Sequence, residues 1–268
     1  MYSVVVVTHN NTSVLRQCLE RLFAHHPDAE VIVVDTGFAG EQAAAEFPKA
    51  RIIQTENRGY AYAVNRGLEV ASRGWVVVIN DDVLLEATDL AVLRQALMNE
   101  PKAAFAGPTL VTPQGRLQGF GPLYHLNYLA LRKPRRVAWI SGALMLMPRN
   151  VIDVLGGMDE RYFFYNEDTE WCLRARRKGY RVLLVPRRVL HLGGASTPDD
   201  PRLIAEGYRG GLRLSRDYYP PLHGLHRKVV WLEAWLRARF DRNQTRRQGH
   251  QLILDMLKKE DLEAARFF

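Results

Sequence analysis

Short apolar runs separated by helix-length segments recur four times in the first hundred residues, and this alternation limits the fold more than any other feature of the chain. Tyr2–Val7, Val31–Val34, Arg51–Gln54 and Trp75–Ile79 read as strands. Between them Val14, Leu15, Cys18, Leu19, Leu22 and Phe23 recur at helical spacing, with Asn11 or Thr12 as the cap. Ala43–Phe47 predicts a short helix, Ala61–Ala71 a longer one, and Leu90–Met98 follows the fourth strand. Strands that alternate with helices and carry apolar side chains on both faces belong to an α/β fold: a Rossmann-like, mainly parallel sheet flanked by helices. Ligands of such sheets bind beyond the carboxyl ends of the strands. That rule brings Thr8-His9-Asn10, Asp35-Thr36-Gly37 and Asn80-Asp81-Asp82 to one rim.

After Asn99 the pattern changes. Thr112-Pro113-Gln114-Gly115 predicts a hairpin turn between Leu110–Val111 and Leu117–Gln118. Ala143–Met147 and Val182–Val185 read as strands, Val151–Leu155 as a short helix ended by Gly156-Gly157, and Asn166 as the cap of a helix running to Lys178. From Leu203 onward the chain reads as helices, so residues 1–200 are expected to form the α/β domain and 201–268 a helical C-terminal extension.

At 268 residues the chain can bury a substantial core. No apolar stretch reaches the roughly 18 residues a membrane span needs, and nothing at the start resembles a signal peptide. Cys18 and Cys172 are far apart without metal-type spacing. A reduced, cytoplasmic protein is the expectation, with the inner face of the membrane as its alternative place. The net charge of +8 fits a nucleic-acid binder, a protein resting on an anionic membrane or an enzyme handling phosphorylated substrates. Much of the excess lies in Arg132-Lys133-Pro134-Arg135-Arg136 and between His226 and Arg247, without a zinc-finger or RNA-recognition signature, so nucleic acid is not an expected partner.

Asn80-Asp81-Asp82 is the sharpest local feature. Two adjacent carboxylates at the end of a buried strand repel one another unless a cation is present, and Mg²⁺ or Mn²⁺ takes a few carboxylates together with substrate phosphates. A solvated turn is the other reading. Asn166-Glu167-Asp168-Thr169-Glu170, behind Tyr162-Phe163-Phe164-Tyr165, offers a candidate base beside an aromatic wall, or simply acids favoured in a first helical turn. His191 precedes Gly193-Gly194-Ala195-Ser196 and is either a packing residue or a group reaching a metal or pyrophosphate. Asn57-Arg58-Gly59-Tyr60-Ala61-Tyr62-Ala63-Val64-Asn65-Arg66-Gly67 leads into a helix whose small residues allow close approach, of a ligand or of the sheet itself.

In this order the pieces resemble the inverting glycosyltransferase family 2, particularly its rhamnosyltransferase-like members, over residues 2–197. Val4-Val5-Val6-Val7-Thr8-His9-Asn10 is similar to the family's first strand and base-binding turn, and Val33-Val34-Asp35 to its second strand. Asn57-x-Gly59-Tyr60-x-x-Ala63-x-Asn65-x-Gly67 is close to its asparagine-glycine helix motif, and Asn80-Asp81-Asp82 lies where the family carries its D-x-D variant. Ser141-Gly142-Ala143, Gly156-Gly157-Met158-Asp159-Glu160-x-x-Phe163, Glu167-Asp168 with Arg174, Gly179-Tyr180 and His191-x-x-Gly194-x-Ser196 follow in family order.

The resemblance implies a GT-A fold, Asp168 as catalytic base, and a Mg²⁺ or Mn²⁺ held by Asp82 with His191. It implies nucleotide contacts from Thr8, Asn10, Asp35, Asn57, Gly59, Asn65 and Asp81. The implied substrates are a nucleoside-diphosphate sugar, of UDP or dTDP type, and a saccharide or lipid-linked acceptor. The chain departs from the family at Thr36-Gly37-Phe38, where a polar turn is usual, and at Asn80, where a first carboxylate is missing. Trp231, Leu232, Trp235 and Leu236 beside Arg227, Lys228, Arg237 and Arg239 form a basic amphipathic helix. Peripheral membrane association, packing on the catalytic domain and a homodimer are its three readings. A sugar nucleotidyltransferase and a dehydrogenase are disfavoured because no Gly-rich loop follows the first strand. A non-catalytic nucleotide-sugar or glycan-binding module is the remaining alternative, which donor hydrolysis without acceptor would separate from an enzyme.

Overall fold

Alternate residues of the opening strands are buried on opposite sides, which is why their sequences read as unbroken apolar runs. Val4, Val6 and Val33 pack on one face of the sheet, Val5, Ile32 and Val34 on the other. The computed structural model describes residues 1–118, 132–193, 200–259, 262 and 267–268. Its first half runs β1 (Tyr2–Thr8), α1 (Thr12–His25), β2 (Glu30–Asp35), α2 (Ala39–Glu46), β3 (Arg51–Gln54), α3 (Tyr60–Val70) and β4 (Trp75–Asn80). The four strands lie in the order β3-β2-β1-β4, all parallel. The Asn11 side chain caps α1 by accepting from Val14 N at 3.2 Å.

The second half adds β5 (Val83–Leu84), α4 (Asp89–Met98), β6 (Ala103–Val111), β7 (Arg135–Val137), β8 (Leu144–Pro148), α5 (Arg149–Leu155), α6 (Glu167–Arg177) and β9 (Arg181–His191). β8 joins β4 antiparallel, and the sheet continues β8-β6-β9-β5 with β7 also on β9. β6 and β9 are parallel, while β5 and β7 run antiparallel to β9. The whole is a mixed sheet, parallel where the sequence alternates strand and helix and antiparallel where that alternation stops. Helices α1, α2 and α4 cover one face and α3, α5 and α6 the other. Cys18 and Cys172 lie buried on opposite faces, their thiols pushed up by burial.

Two strands exceed their expected lengths. β6 begins at Ala103, well before the expected Leu110–Val111, and β9 continues past Val185 through Pro186 to His191. The β6–β9 register shifts between Pro108 and Thr109, so both prolines sit where the ladder is already interrupted. Part of the basic cluster becomes β7, with Arg136 paired to Glu100 at 2.8 Å.

After residue 200 the chain forms α7 (Pro201–Tyr218), α8 (Pro220–Phe240) and α9 (Gln244–Lys258). These three share a small core of Ala205, Leu212, Val230, Ala234, Ile253 and Met256. Leu214 of α7 also packs on Tyr162 and Leu173, which ties the extension to the sheet-covering layer. Among the described residues, no helix is long and apolar enough to cross a membrane.

Candidate active site

The carboxyl ends of β1, β2 and β4 open into a cavity of about 380 Å³, walled in part by Thr8, Asn57, Gly59, Asp81 and Asp82. Within it Thr8 Oγ1 donates to Asp81 Oδ2 at 2.6 Å, joining neighbouring strand ends 73 residues apart in sequence. Both acids of the pair are buried. The parallel register that sets Val7 opposite Asn80 makes this inevitable, because Thr8 then falls beside Asp81.

Asp82 meets His191 through a short strand pairing. β5 follows Asp82 directly and lies antiparallel to the end of β9, with Val83 opposite His191. His191 Nε2 lies 3.1 Å from Asp82 Oδ1, and Leu192 N donates to the Asp82 carbonyl at 2.9 Å. Gln118 grips the histidine twice. Its Nε2 donates to the His191 carbonyl at 2.9 Å, which turns its Oε1 toward Nδ1 and places a proton there. In the neutral ring, Nε2 therefore presents a lone pair to Asp82 Oδ1, a buried oxygen that receives no hydrogen bond. Two facing acceptors of this kind fit a shared divalent cation, with the outer hydrogen bond orienting the histidine ligand. Among the described residues no group of three His, Cys, Asp or Glu side chains converges, so phosphate oxygens would have to complete such a site.

The second acidic centre opens α6. Asp168 Oδ2 accepts from Gly142 N at 2.8 Å, and Oδ1 from Thr169 N at 2.6 Å. Burial raises the Asp168 carboxyl above its ordinary range, while these backbone donors oppose the rise. Glu167 is raised much further, by burial and then by the neighbouring Asp168 charge, and its Oε2 has no hydrogen-bond partner. The two backbone donors favour the ionised form of Asp168, whereas Glu167 Oε2 has no donor to do the same for its own carboxylate.

Tyr60 lines the cavity with Asp82 and reaches Asp168 through Gly142, a role the sequence did not assign to it. Its phenol is raised well above its usual range by burial and by Glu167, Asp168, Asp82 and Asp81 together. Its hydroxyl donates to the Gly142 carbonyl at 2.9 Å, and its backbone N to the Phe163 carbonyl at 2.8 Å. Gly59 makes this possible. Its φ is +105°, and a Cβ there would lie 2.5 Å from Phe163 O.

Several expected contacts fall elsewhere. Asp35 is fully buried, and its two oxygens accept from Gly37 N and Gly40 N, each at 2.8 Å, so it shapes the β2–α2 turn and does not wall the cavity. Asn65 is likewise engaged with backbone. Its carboxamide both donates to Met158 O (2.9 Å) and accepts from Met158 N (2.8 Å), pinning the loop that leads to the base. Asn10 is exposed outside the cavity wall, its Nδ2 3.1 Å from His9 Nε2. Asp168 and His191 also lie outside that wall, behind Tyr60 and Asp82 in the contacts just described. Asn166 does not cap α6 with its side chain. It adopts φ +72°, after Tyr165 at +67°, and its Nδ2 donates to Gly207 O at 2.9 Å. Gly194 and Ser196 of the His191 motif lie outside the described residues.

The extension completes the site in a way the sequence did not signal. Glu206 of α7 accepts from Phe163 N at 3.3 Å and forms a buried ion pair with Arg209. Arg213, fully buried, donates to the Arg161 carbonyl and lies over the Tyr162 ring. Phe268 stacks on Phe163 with 4.3 Å between centroids, Arg202 lies over Phe268, and both line the cavity.

Residues 1–202 match the sequence profile described as "Glycosyltransferase like family 2". The chain is 30% identical to the N-acetylglucosaminyl-diphospho-decaprenol L-rhamnosyltransferase of Mycobacterium tuberculosis H37Rv, over 93% of this chain and 97% of that one. It is 21% identical to the rhamnosyltransferase WbbL of Escherichia coli K12, over 81% and 92% respectively. Among solved structures it resembles the mannosyltransferase PcManGT of Pyrobaculum calidifontis in complex with GDP-Man and Mn²⁺. The TM-score is 0.60 at 19% identity, over 98% of this chain and 77% of that one. It also resembles GalNAc-T7 with UDP, GalNAc and Mn²⁺, with a TM-score of 0.66 at 15% identity, covering 89% of this chain but about half (51%) of that one.

Proposed function

The chain belongs to the family 2-like glycosyltransferases, and from that premise we propose a metal-dependent, inverting transfer of a sugar from a nucleoside diphosphate to an acceptor hydroxyl. The observation that carries this reading is a cavity lined by both Asp82, which meets His191, and Tyr60, whose hydroxyl shares the Gly142 peptide segment with Asp168. Residues 1–200 constitute the transferase domain in this reading and 201–268 its helical extension.

Thr8, Asn57 and Gly59 wall the space for the donor, and Asp82 with His191 would hold a Mg²⁺ or Mn²⁺ at its diphosphate. Such an ion supplies neutralisation of the charge that develops on a leaving diphosphate. Asp168 accepts the proton of the acceptor hydroxyl as that oxygen attacks the anomeric carbon, and a single displacement from the opposite face inverts the configuration. Gly142 N and Thr169 N hold the carboxylate in one orientation for this task.

The relatives named as rhamnosyltransferases, one of them a dTDP-rhamnosyl transferase of Shigella flexneri, put a deoxythymidine diphosphate sugar first among donors and a UDP sugar second. The decaprenol-linked substrate in the mycobacterial relative's name favours a lipid-linked glycan as acceptor, met at the inner face of the membrane. The test is calorimetric binding of dTDP, UDP, GDP and ADP, each with and without Mn²⁺. Metal-dependent binding of one diphosphate, lost in Asp82→Ala, supports the donor site. Binding of none of them would return the chain to a degenerate or non-catalytic reading.

A further inference from the structure

Helix α8 presents an apolar stripe that lies outside the core the described residues form. Only Val230 and Ala234 of this 21-residue helix are buried. Leu222, Leu225, Val229, Leu232, Leu236 and Phe240 are all exposed, between 43% and 72%. Their spacing of three and four residues puts them on one side of the helix. On a helical wheel Lys228 and Arg239 border one edge of the stripe, and Glu233 and Arg237 the other.

Charge decides between the two occupants such a stripe could take. Glu233, the single acid of α8, is already paired with Arg237 at 2.9 Å. From His226 to Arg247 the chain holds seven Lys or Arg residues against two acids, which is five of its eight net positive charges. A second copy of the chain seated on the stripe would bring these like charges together, whereas an anionic surface would be attracted by them. Trp231 is half exposed, and Trp235 lies under Arg239 at 4.4 Å, the amphipathic pairing that suits a headgroup boundary.

The stripe also lies next to a groove that adjoins the donor cavity. A second, largely apolar groove is lined by Tyr165, Leu203, Tyr208 and His226 among others. Leu203 belongs to both this groove and the donor cavity, and Tyr165 lies three residues before Asp168. On α8, His226 has Leu222 and Val229 of the stripe as its i−4 and i+3 neighbours. We infer that α8 is a membrane-docking helix, laying its apolar stripe on a bilayer with anionic headgroups so that the groove adjoining the donor cavity at Leu203 opens at the lipid surface. The use of this surface rests on the acceptor reading above, but its binding does not.

The experiment is co-sedimentation of the full chain with vesicles of phosphatidylcholine alone or mixed with phosphatidylglycerol, with no donor or acceptor present. Binding to the mixed vesicles, weakening as salt rises, is expected. Leu225→Ser with Leu232→Ser and Leu236→Ser should lower the partition on the order of tenfold or more. Lys228→Gln with Arg239→Gln should lower it on the order of tenfold on mixed vesicles and little on phosphatidylcholine. All five side chains are exposed, so the variants should melt with the parent. Absence of binding to mixed vesicles overturns the inference, as does undiminished binding by the triple serine variant. So does light scattering that shows a dimer in the parent and a monomer in that variant. Nucleotide binding measured on the same preparations separates failure here from failure of the transferase reading.

Discussion

The Tyr60 hydroxyl donates to the carbonyl of Gly142 at 2.9 Å, and the amide of that same glycine donates to Asp168 at 2.8 Å. One peptide segment thus links the cavity wall to the base. Removing the hydroxyl leaves a buried carbonyl unpaired, which costs about 1–3 kcal/mol. Tyr60→Phe should show that loss in denaturant unfolding and a lower kcat, with diphosphate affinity nearly unchanged. A variant with parental kcat would remove Tyr60 from the positioning of the base.

Asp168→Asn keeps the size of the side chain and an oxygen able to accept from Gly142 N, but it takes away the basic site. General-base help contributes about 10²–10⁴-fold, so turnover should fall by that range while Mn²⁺-dependent diphosphate binding persists. Single-turnover transfer measured beside calorimetry checks both halves. Near-parental turnover would move the base elsewhere.

Glu167 gives the pair its pH signature. Its folded pKa is raised, so between its ordinary range and the raised value the native state binds a proton that the unfolded chain has released. Stability contributed by the neutral acid is therefore complete at low pH and declines as pH rises through the folded value. Glu206 faces Glu167 as a further negative charge and Asp168 as the nearest one, and both deepen the decline. Glu167→Gln should flatten stability against pH above the ordinary carboxylate range. Because Asp168 owes its own rise chiefly to burial and is held by Gly142 N and Thr169 N, the acid limb of kcat/KM should stay in place. Urea midpoints across pH, read against the pH–rate profile, test the assignment. A limb that moves with the substitution would give the base role to Glu167.

Gln118 fixes which nitrogen of His191 faces Asp82. Loss of an outer-shell partner of this kind typically weakens metal affinity by about 10–100-fold. Gln118→Ala should therefore raise the Mn²⁺ concentration that half-saturates transfer by that factor and leave the maximal rate at saturating metal nearly intact. Chelation should abolish transfer in both proteins, with Mn²⁺ restoring it. An unchanged metal requirement would leave Gln118 as packing alone.

The first half of the fold is legible in the sequence because both faces of a parallel strand are buried, so Val4–Val7 and Val31–Val34 can be little else. The Asp81–Asp82 pair is legible for the same reason, as charge left at the end of such a run. Strand β6 is not, since Gly107-Pro108 carries the signature of a turn and only its register shift against β9 makes the proline tolerable. Two residues expected to contact the nucleotide are engaged with backbone groups. Asp35 and Asn65 occur at motif positions, but local spacing does not reveal that backbone amides from Gly37, Gly40 and Met158 already occupy them. Gln118 and Glu206 meet His191 and Phe163 from 73 and 43 residues away, a relationship that periodicity within a window does not contain.

Glu206 and Arg209 are a buried ion pair that also reaches Phe163 N, in the loop leading to Asp168. Removing one member leaves a buried charge uncompensated, at a cost of about 3–5 kcal/mol, so Glu206→Ala should unfold at markedly lower denaturant and lose activity for that reason alone. The pair replaced together separates the two contributions. Glu206→Leu with Arg209→Met fills the space with apolar atoms and should recover most of the stability, yet it cannot accept from Phe163 N. If α7 positions the base loop, this double variant should melt near the parent and still show a lowered kcat, with KM for the donor little changed. Full recovery of kcat along with stability would make the contact a strut of the extension and nothing more.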